Sequence, residues 1–237
     1  MKLSVPACMS LTAVYIDTAG FLALQGLFAE HVTVNFVTLV ATLALGTAGT
    51  VPALRALPVF CAVGVLTRLI AYWLPKAGLP ILRTMLSLQF ARLVAGAAVA
   101  NSTGPDMSAD GVPALVTGLF LVCAMAIQNA APRIHLANAP PTTLMSWTTT
   151  QIMIDRADLC RAVPPEARLA ITSRMSKMLA NVAAFALGCA AGAVLYSRIV
   201  RWCFVVPRIL AFLPFVMRAT REHAADPVLG AHAGPQA

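Results

Sequence analysis

The segment from Val112 to Ala131 reads VPALVTGLFLVCAMAIQNAA and contains no charged residue. The hydrocarbon core of a bilayer is about 30 Å thick, so an α-helix needs about 20 mainly apolar residues to cross it. The apolar residues of this segment form a continuous block and do not follow the one-sided spacing of a soluble amphipathic helix. The segment therefore predicts a transmembrane helix.

Apolar blocks of the same kind, bounded by charges, Pro or Gly, recur along most of the chain. They cover residues 3–28, 32–45, 58–74, 79–100, 112–131, 142–154, 178–196 and 202–216. The pattern predicts an all-α, polytopic transmembrane helix bundle of about seven spans, formed by a single domain over residues 1–217. The short blocks 142–154 and 202–216 set the range at six to eight spans. The polar, Ala/Gly/Pro-rich tail 218–237 is typical of a disordered segment.

The composition excludes a soluble protein. Hydrophobic residues make up 59% of the 237 residues and charged residues only 11%, against roughly 25% charged residues in ordinary soluble domains. The formal net charge of +8 would suggest nucleic acid in a soluble protein. Here the basic residues separate apolar blocks, which favours a role in membrane orientation, so we expect no nucleic-acid partner.

No motif of an enzyme or of a cofactor site occurs in the sequence. The chain has no P-loop, no dinucleotide-binding glycine pattern, no H-E-x-x-H and no G-x-S-x-G. The six cysteines are scattered and form no C-x-x-C pair, which is typical of small buried hydrophobes. We therefore expect no catalytic residue, no cofactor and no metal.

Lys and Arg residues, which are enriched in cytoplasmic loops, predict the orientation. An eight-span arrangement with the N-terminus inside places nine of the 17 basic residues on the inside, five outside and three within spans. Five of the inner nine lie in the charged stretch 155–177. The count predicts that this stretch and both termini are cytoplasmic.

Three short segments recur in the same order in the two halves. YIDTA at 15–19 is similar to AIQNA at 126–130, VTVN at 32–35 to MSWT at 145–148, and PIL at 80–82 to PRIL at 207–210. They predict an internal duplication with repeats 3–101 and 112–217, an architecture typical of secondary transporters. Four spans per half would make the repeats parallel, related by an axis along the membrane normal.

Asp17 is the most informative single residue. A carboxylate inside an apolar span costs about 2.5–3.5 kcal/mol on insertion scales, so it generally has a partner or a function. A substrate, cation or proton site and a structural hydrogen bond between helices are both open. Arg92 lies in the middle of block 79–100, and we expect it within reach of Asp17.

Neutral polar residues occur at matching places in the two halves. Helix-to-helix hydrogen bonding explains any one of them, since such bonds contribute about 0.6 kcal/mol on average. Their recurrence favours a shared site near the repeat interface. The substrate-binding set that we predict is Asp17, Asn35, Gln128, Asn129, Thr148 and Arg92.

Two of these segments resemble the YoaK-like family of bacterial inner-membrane proteins. YIDTAGFLALQGLF at 15–28 is similar to that family's G-Y-x-D-A-x-x-F-L-A-L-G-G-x-F opening, and AMAIQNA at 124–130 to its A-M-G-x-Q-N-A. The resemblance covers about residues 10–217. The family's M-T-G-N and V-T-G-T read VTVN and MSWT here, so Val34 and Trp147 replace two glycines.

The resemblance implies the fold and a multi-pass location in the bacterial inner membrane, and it supplies no substrate. From the residues we expect a small-solute transporter or permease, surrounded by the lipid bilayer and binding a small-molecule solute. The alternative is a non-transporting assembly or regulatory protein of the membrane. A polar pocket that water can reach, between the two halves, distinguishes the first from the second. The sequence does not determine the oligomeric state.

Overall fold

A computed structural model describes residues 5–102, 111–135, 145–161 and 163–212, and within these ranges it contains helices and no strand. The expected all-α helical bundle is confirmed. Seven α-helices lie within the described ranges, and an eighth, α8, begins at residue 206 and is described as far as 212. The seven are α1 (Val5–Ala23), α2 (Asn35–Leu45), α3 (Thr50–Trp73), α4 (Ile81–Ser102), α5 (Val112–His135), α6 (Met145–Leu159) and α7 (Pro165–Ile199).

In the part of the chain that the structure describes, three helical segments are long and apolar enough to cross a membrane: Thr50–Ala77, Val112–Ile134 and Pro165–Ile199. The helical stretches Ala7–Ala23, Val32–Leu45 and Trp202–Phe212 are apolar but shorter. Together with the composition, these helices identify a membrane protein. The tail 218–237 lies outside the described residues.

Two predicted boundaries differ from the structure. Helix α3 begins at Thr50, ahead of the predicted block at 58, and continues through Pro58. A proline inside a helix removes one backbone hydrogen bond without ending the helix where neighbouring packing supports it. The predicted blocks 142–154 and 178–196 are also too short, since the charged stretch 155–177 between them forms the end of α6 and the beginning of α7.

Helices α1 and α7 pack side by side and run in the same direction. A Cβ atom on Gly188 would lie 2.6 Å from the carbonyl oxygen of Leu11, and one on Gly192 would lie 3.0 Å from that of Tyr15. Both sequence numbers increase together along the contact, so the helices are parallel. We call the end of the bundle where α1 begins the lower end, and the end where it finishes the upper end.

Helix α5 runs opposite to α1. The Gln128 side-chain amide donates to the carbonyl oxygen of Met9, near the start of α1, at 2.8 Å. Gly118, near the start of α5, instead faces Leu24 and Leu27 beyond the end of α1. The expectation of parallel repeats, in which α1 and α5 run the same way, is therefore wrong.

Helix α3 packs on α5 and descends with it. Ala56, near the start of α3, shares a buried cluster with Leu121, whereas Ala71, near its end, shares one with Ala131. Helix α4 returns to the upper end and is antiparallel to α5. Helix α4 also packs against the segment that leads into α8, the 3₁₀ turn Val200–Val205.

The connection between α1 and α2 enters the bundle and returns to the same end. The 3₁₀ turn Val32–Val34 packs against α3, and Thr33 lines the same cavity as Phe60 and Gly64 in the middle of α3, so the chain has descended by about half the depth of the bundle. Thr42 in α2 is hydrogen-bonded to Thr50 at the upper end of α3. Helix α2 is thus a returning arm, and residues 24–45 form a re-entrant hairpin.

A glycine closes this hairpin. Gly49 has φ of +100° and its backbone packs directly on the carbonyl of Gln25. Only glycine adopts this conformation freely, and any side chain here would collide with that carbonyl. The start of α3 is thereby fixed beside the end of α1.

Candidate functional site

The Asp17 carboxylate binds the tip of the re-entrant hairpin. Its Oδ1 accepts hydrogen bonds from the backbone N–H groups of Ala29 and Glu30, both at 2.7 Å. Its Oδ2 accepts one from the backbone N–H of His31 at 3.1 Å and lies 2.6 Å from Nδ1 of the same residue. Asp17 is only 3% exposed. Three backbone donors that have no helical partner are thus satisfied by one side chain from α1.

His31 connects this carboxylate to α7. Its ring forms an edge-on contact with Phe185, with the ring centroids 5.9 Å apart. The His31 side chain is 27% exposed, against 4% for the side chain of Asp17. In this pair Asp17 is therefore buried and His31 is partly exposed.

Glu30 is the second buried carboxyl group at the hairpin tip, at 4% exposure. Its Oε1 accepts a hydrogen bond of 2.8 Å from Nδ2 of Asn129 on α5. Its Oε2 is buried and has no hydrogen-bond partner within the described residues. Most buried polar atoms in proteins are hydrogen-bonded, so this oxygen is an exception that needs an explanation.

Two cavities flank the hairpin tip. One, of about 370 Å³, lies between the tip and helices α3 and α5. The other, of about 320 Å³, lies between the tip and helices α1 and α7. His31 lines both of them. Polar and charged side chains on the walls are Glu30, His31, Thr33, Asn129 and Arg133 in the first, and Asp17, Thr18 and His31 in the second.

Asn35 and Gln128 hold the surrounding elements together. The Asn35 side chain accepts from the backbone N–H of Phe28 at 2.9 Å and donates to its carbonyl at 2.7 Å, which fixes the start of α2 to the hairpin. Gln128 accepts from the Gln89 amide at 2.6 Å and so links α5 to α4. All of the hydrogen bonds that these two amides form here are consistent with structural roles.

The structure brings together part of the predicted set. Asp17 and Asn129 contact the hairpin segment 28–35, and Asn35 belongs to this segment and is hydrogen-bonded to Phe28. Gln128 is the residue next to Asn129. Thr148 is buried in α6, which packs against α7. Arg92 is exposed on α4.

The expected pairing of Asp17 with Arg92 is wrong. The four contacts of the Asp17 carboxylate are all made by the hairpin, because local backbone donors reach it from the next segment of the chain. Glu30 and His31 were not in the predicted set, and they take part in most of the polar contacts at the tip. Their only sequence signal is an acidic residue and a histidine between two apolar blocks.

A second polar contact lies at the lower end, between α6 and α7. The Arg174 guanidinium donates to both oxygens of the fully buried Asp155, at 3.0 and 2.5 Å, and Gln151 donates to the same carboxylate at 2.7 Å. The hydrogen bonds from Arg174 lower the pKa of Asp155. Half of the Arg174 side chain is exposed, so the pair fixes the α6–α7 hairpin at the protein surface.

The comparisons with known proteins give one result. No curated protein and no solved structure matches the chain. A family model with the description "Protein of unknown function (DUF1275)" matches residues 5–217, which include the hairpin and every helix described above. This is the YoaK-like family that the motifs at 15–28 and 124–130 resemble. The chain therefore belongs to the DUF1275 family.

Proposed function

We propose that the protein is a transporter of a small solute in the bacterial inner membrane, with its binding site at the tip of the re-entrant hairpin 24–45. The observation that carries the proposal is the polar cluster of Asp17, Glu30, His31 and Asn129 between two cavities. Non-helical backbone at membrane depth is tolerated where it is buried in protein or lines a cavity. Transporter folds place their binding sites at such interrupted helices.

The packing of the helices supports an inverted internal repeat. Exchanging α1–α4 with α5–α8 converts the α1–α7 contact into α5–α3, and the α2–α3 contact into α6–α7, and all four of these contacts occur. The pairs α1–α7 and α3–α5 are both parallel, while α1 and α5 are antiparallel. An axis in the membrane plane relates halves of this kind.

We propose that each half has three crossing helices and one shorter helix, α2 or α6, that does not cross. In the second half, Asp155 of α6 pairs with Arg174 of α7, so α6 ends at the lower end beside the beginning of α7. Helix α6 therefore corresponds to α2. Six crossings would put the two termini on one side of the membrane, and a common side for the termini and residues 155–177 stays a prediction of the basic-residue count.

In this arrangement the basic residues are distributed unequally between the two ends of the bundle. The lower end carries eight described basic residues and the upper end three. The eight are Lys76, Arg83, Arg133, Arg156, Arg161, Arg168, Arg174 and Lys177, and the three are Arg55, Arg198 and Arg201. We therefore place the lower end in the cytoplasm.

Exposed tryptophans are consistent with these two membrane boundaries. Trp73 lies at the lower end and is 68% exposed, and Trp202 lies at the upper end and is 63% exposed. Tryptophan is enriched at membrane–water interfaces.

Cysteine labelling tests the orientation. In a variant whose native cysteines are replaced, one cysteine is introduced at Val112 or at Arg168, both of which are exposed. A membrane-impermeant maleimide added to intact cells should label Val112→Cys and leave Arg168→Cys unlabelled until the cells are opened. Labelling of Arg168→Cys in intact cells would contradict the orientation.

A cavity-filling variant tests the transport function. A Cβ atom on Gly64 meets nothing within 4 Å, so Gly64→Phe should fill the larger cavity without disturbing the fold. Ala91→Phe, on an exposed position of α4, is the matched control. Purified protein is screened by thermal shift against small water-soluble solutes, and solutes that stabilise it are tested by counterflow in proteoliposomes.

We expect a solute that stabilises the wild type and Ala91→Phe and exchanges across their vesicles, with both signals lost in Gly64→Phe. The proposal is contradicted if no solute distinguishes the wild type from Gly64→Phe. That result would favour the alternative of a non-transporting assembly or regulatory protein.

A further inference from the structure

The unpaired oxygen of Glu30 indicates the chemistry of the ligand. The other oxygens of the two carboxyl groups at the hairpin tip have partners: Asp17 has four contacts, and Glu30 Oε1 accepts from Asn129. Glu30 Oε2 is buried without one in the part of the chain that the structure describes. A buried carboxylate oxygen without a hydrogen bond is strongly disfavoured, so Oε2 either carries a proton or accepts from a donor that is not part of the described chain.

A second acceptor lies beside it. The Asn129 side chain donates through Nδ2 to Glu30, so the carbonyl oxygen Oδ1 of Asn129 remains available as an acceptor. Asn129 lines the same cavity as Glu30. Glu30 and Asn129 thus supply two oxygen acceptors to the cavity wall, one of which is negatively charged when Glu30 carries no proton. A group with several N–H donors and a positive charge satisfies both.

The remaining walls define the rest of the ligand. Val32, Phe60, Ala126 and Ala130 form an apolar lining around a volume of about 370 Å³, within the range typical of small-molecule sites. Phe60 also offers an aromatic face to a cation. A metal ion is a poorer candidate, because no three His, Cys, Asp or Glu side chains of the described residues are placed to bind one.

Arg133 limits the charge of the ligand. It lines the cavity one helical turn beyond Asn129 and is exposed. Its guanidinium repels cations near the opening, so a ligand with a single positive charge is favoured over one with several. Binding of such a ligand therefore depends on the Glu30 carboxylate at the inner end.

We infer that this cavity binds a small protonated primary amine with an apolar body, whose ammonium group donates to Glu30 Oε2 and Asn129 Oδ1. The inference rests on the proposed transport function and names the substrate class of that site. A proton on Glu30 and the ammonium group would compete for the same oxygen.

Three probes of one shape test the inference. Benzylamine, benzyl alcohol and benzoate differ mainly in charge, and their binding to the purified full-length protein is measured by calorimetry at pH 7. We expect benzylamine to bind about tenfold or more tightly than benzyl alcohol, as expected for a charge-assisted hydrogen bond, and benzoate not to bind. This comparison needs only the wild-type protein.

Glu30→Gln and a matched control locate the effect. Glutamine keeps an acceptor for Asn129 and removes the charge, whereas Glu166→Gln removes the charge of an exposed glutamate in the first turn of α7. Benzylamine affinity should fall about tenfold or more in Glu30→Gln and stay unchanged in Glu166→Gln. Equal affinity of the wild type for the amine and the alcohol would overturn the inference, because the positive charge of the probe would then add nothing to binding.

The two proposals fail differently. If benzoate or benzyl alcohol binds better than benzylamine and Gly64→Phe abolishes that binding, the amine assignment is wrong while the transport proposal stands. If no solute of any charge binds or exchanges, both are wrong.

Discussion

Replacing Asp17 with asparagine tests whether the re-entrant hairpin depends on this carboxylate. The asparagine side chain would keep one oxygen for the N–H groups of Ala29 and Glu30, now bonded to Oδ1 at 2.7 Å. The other oxygen becomes an NH₂ group, which cannot accept from the backbone N–H of His31, although it can donate to Nδ1 of a neutral His31 ring that carries its proton on Nε2. One buried donor left without an acceptor costs about 1–3 kcal/mol, which is the loss that we expect.

Thermal unfolding in detergent and the yield of monodisperse protein measure this loss. His31→Ala removes the ring, and the double variant with Asp17→Asn gives the coupling between the two side chains. Direct contact at 2.6 Å predicts a coupling of about 0.5–3 kcal/mol. Arg92→Gln is the matched control, since Arg92 is exposed on α4 and its effect should add to that of Asp17→Asn within about 0.5 kcal/mol.

Two results would refute this reasoning. An Asp17→Asn protein with wild-type stability would show that the hairpin does not depend on the carboxylate. Strong coupling between Asp17 and Arg92, with none between Asp17 and His31, would show that the tip adopts another arrangement in the membrane.

Two further predictions concern the helix contacts. Gly188→Ala should lower the free energy of unfolding by about 1–3 kcal/mol, because its Cβ would lie 2.6 Å from the Leu11 carbonyl oxygen. The control Gly64→Ala, whose Cβ meets nothing within 4 Å, should be neutral or stabilising by up to about 1 kcal/mol. Equal melting temperatures of the two variants would contradict the parallel α1–α7 contact. The lowered pKa of Asp155 stabilises the fold above the unfolded-state value of about 3.9 and loses this effect as the pH falls below it. The difference in melting temperature between the wild type and Asp155→Asn should therefore be present at pH 7 and shrink below about pH 4, and a difference that is constant across this range would contradict the role of the Arg174 contact.

Most helices could be predicted from the sequence because each apolar block is locally sufficient. The block 112–131 has the length and composition of a span by itself, and α5 begins at the predicted residue, Val112. The charges at 155–177 concealed a continuous α7 of 35 residues, because a helix that extends beyond the membrane needs no apolar surface there. In such cases the length of the apolar block indicates the thickness of the membrane, and the helix itself is longer.

The partner of Asp17 could not be predicted in the same way. Spacing within α1 indicates that the carboxylate is inside the membrane, and a buried charge needs a partner, so a distant arginine was the natural candidate. The structure supplies backbone N–H groups from residues 29–31 instead. Free backbone donors exist there only because the chain is not helical, and apolar patterning does not show that a short block turns back.

The length of block 32–45 decides the symmetry of the whole molecule. Helix α2 has 11 residues and rises about 16 Å, roughly half of a bilayer core of about 30 Å. If it crossed, each half would contain four spans, and α5 would start on the same side as α1. Because it returns to the upper end, where Thr42 contacts Thr50, the first half crosses three times in the arrangement that we propose. An odd number of crossings forces the second half to begin on the opposite side. The antiparallel contact of α5 with α1, the charge bias toward the lower end and the proposed inverted repeat therefore share one physical cause, a connection too short to span the membrane.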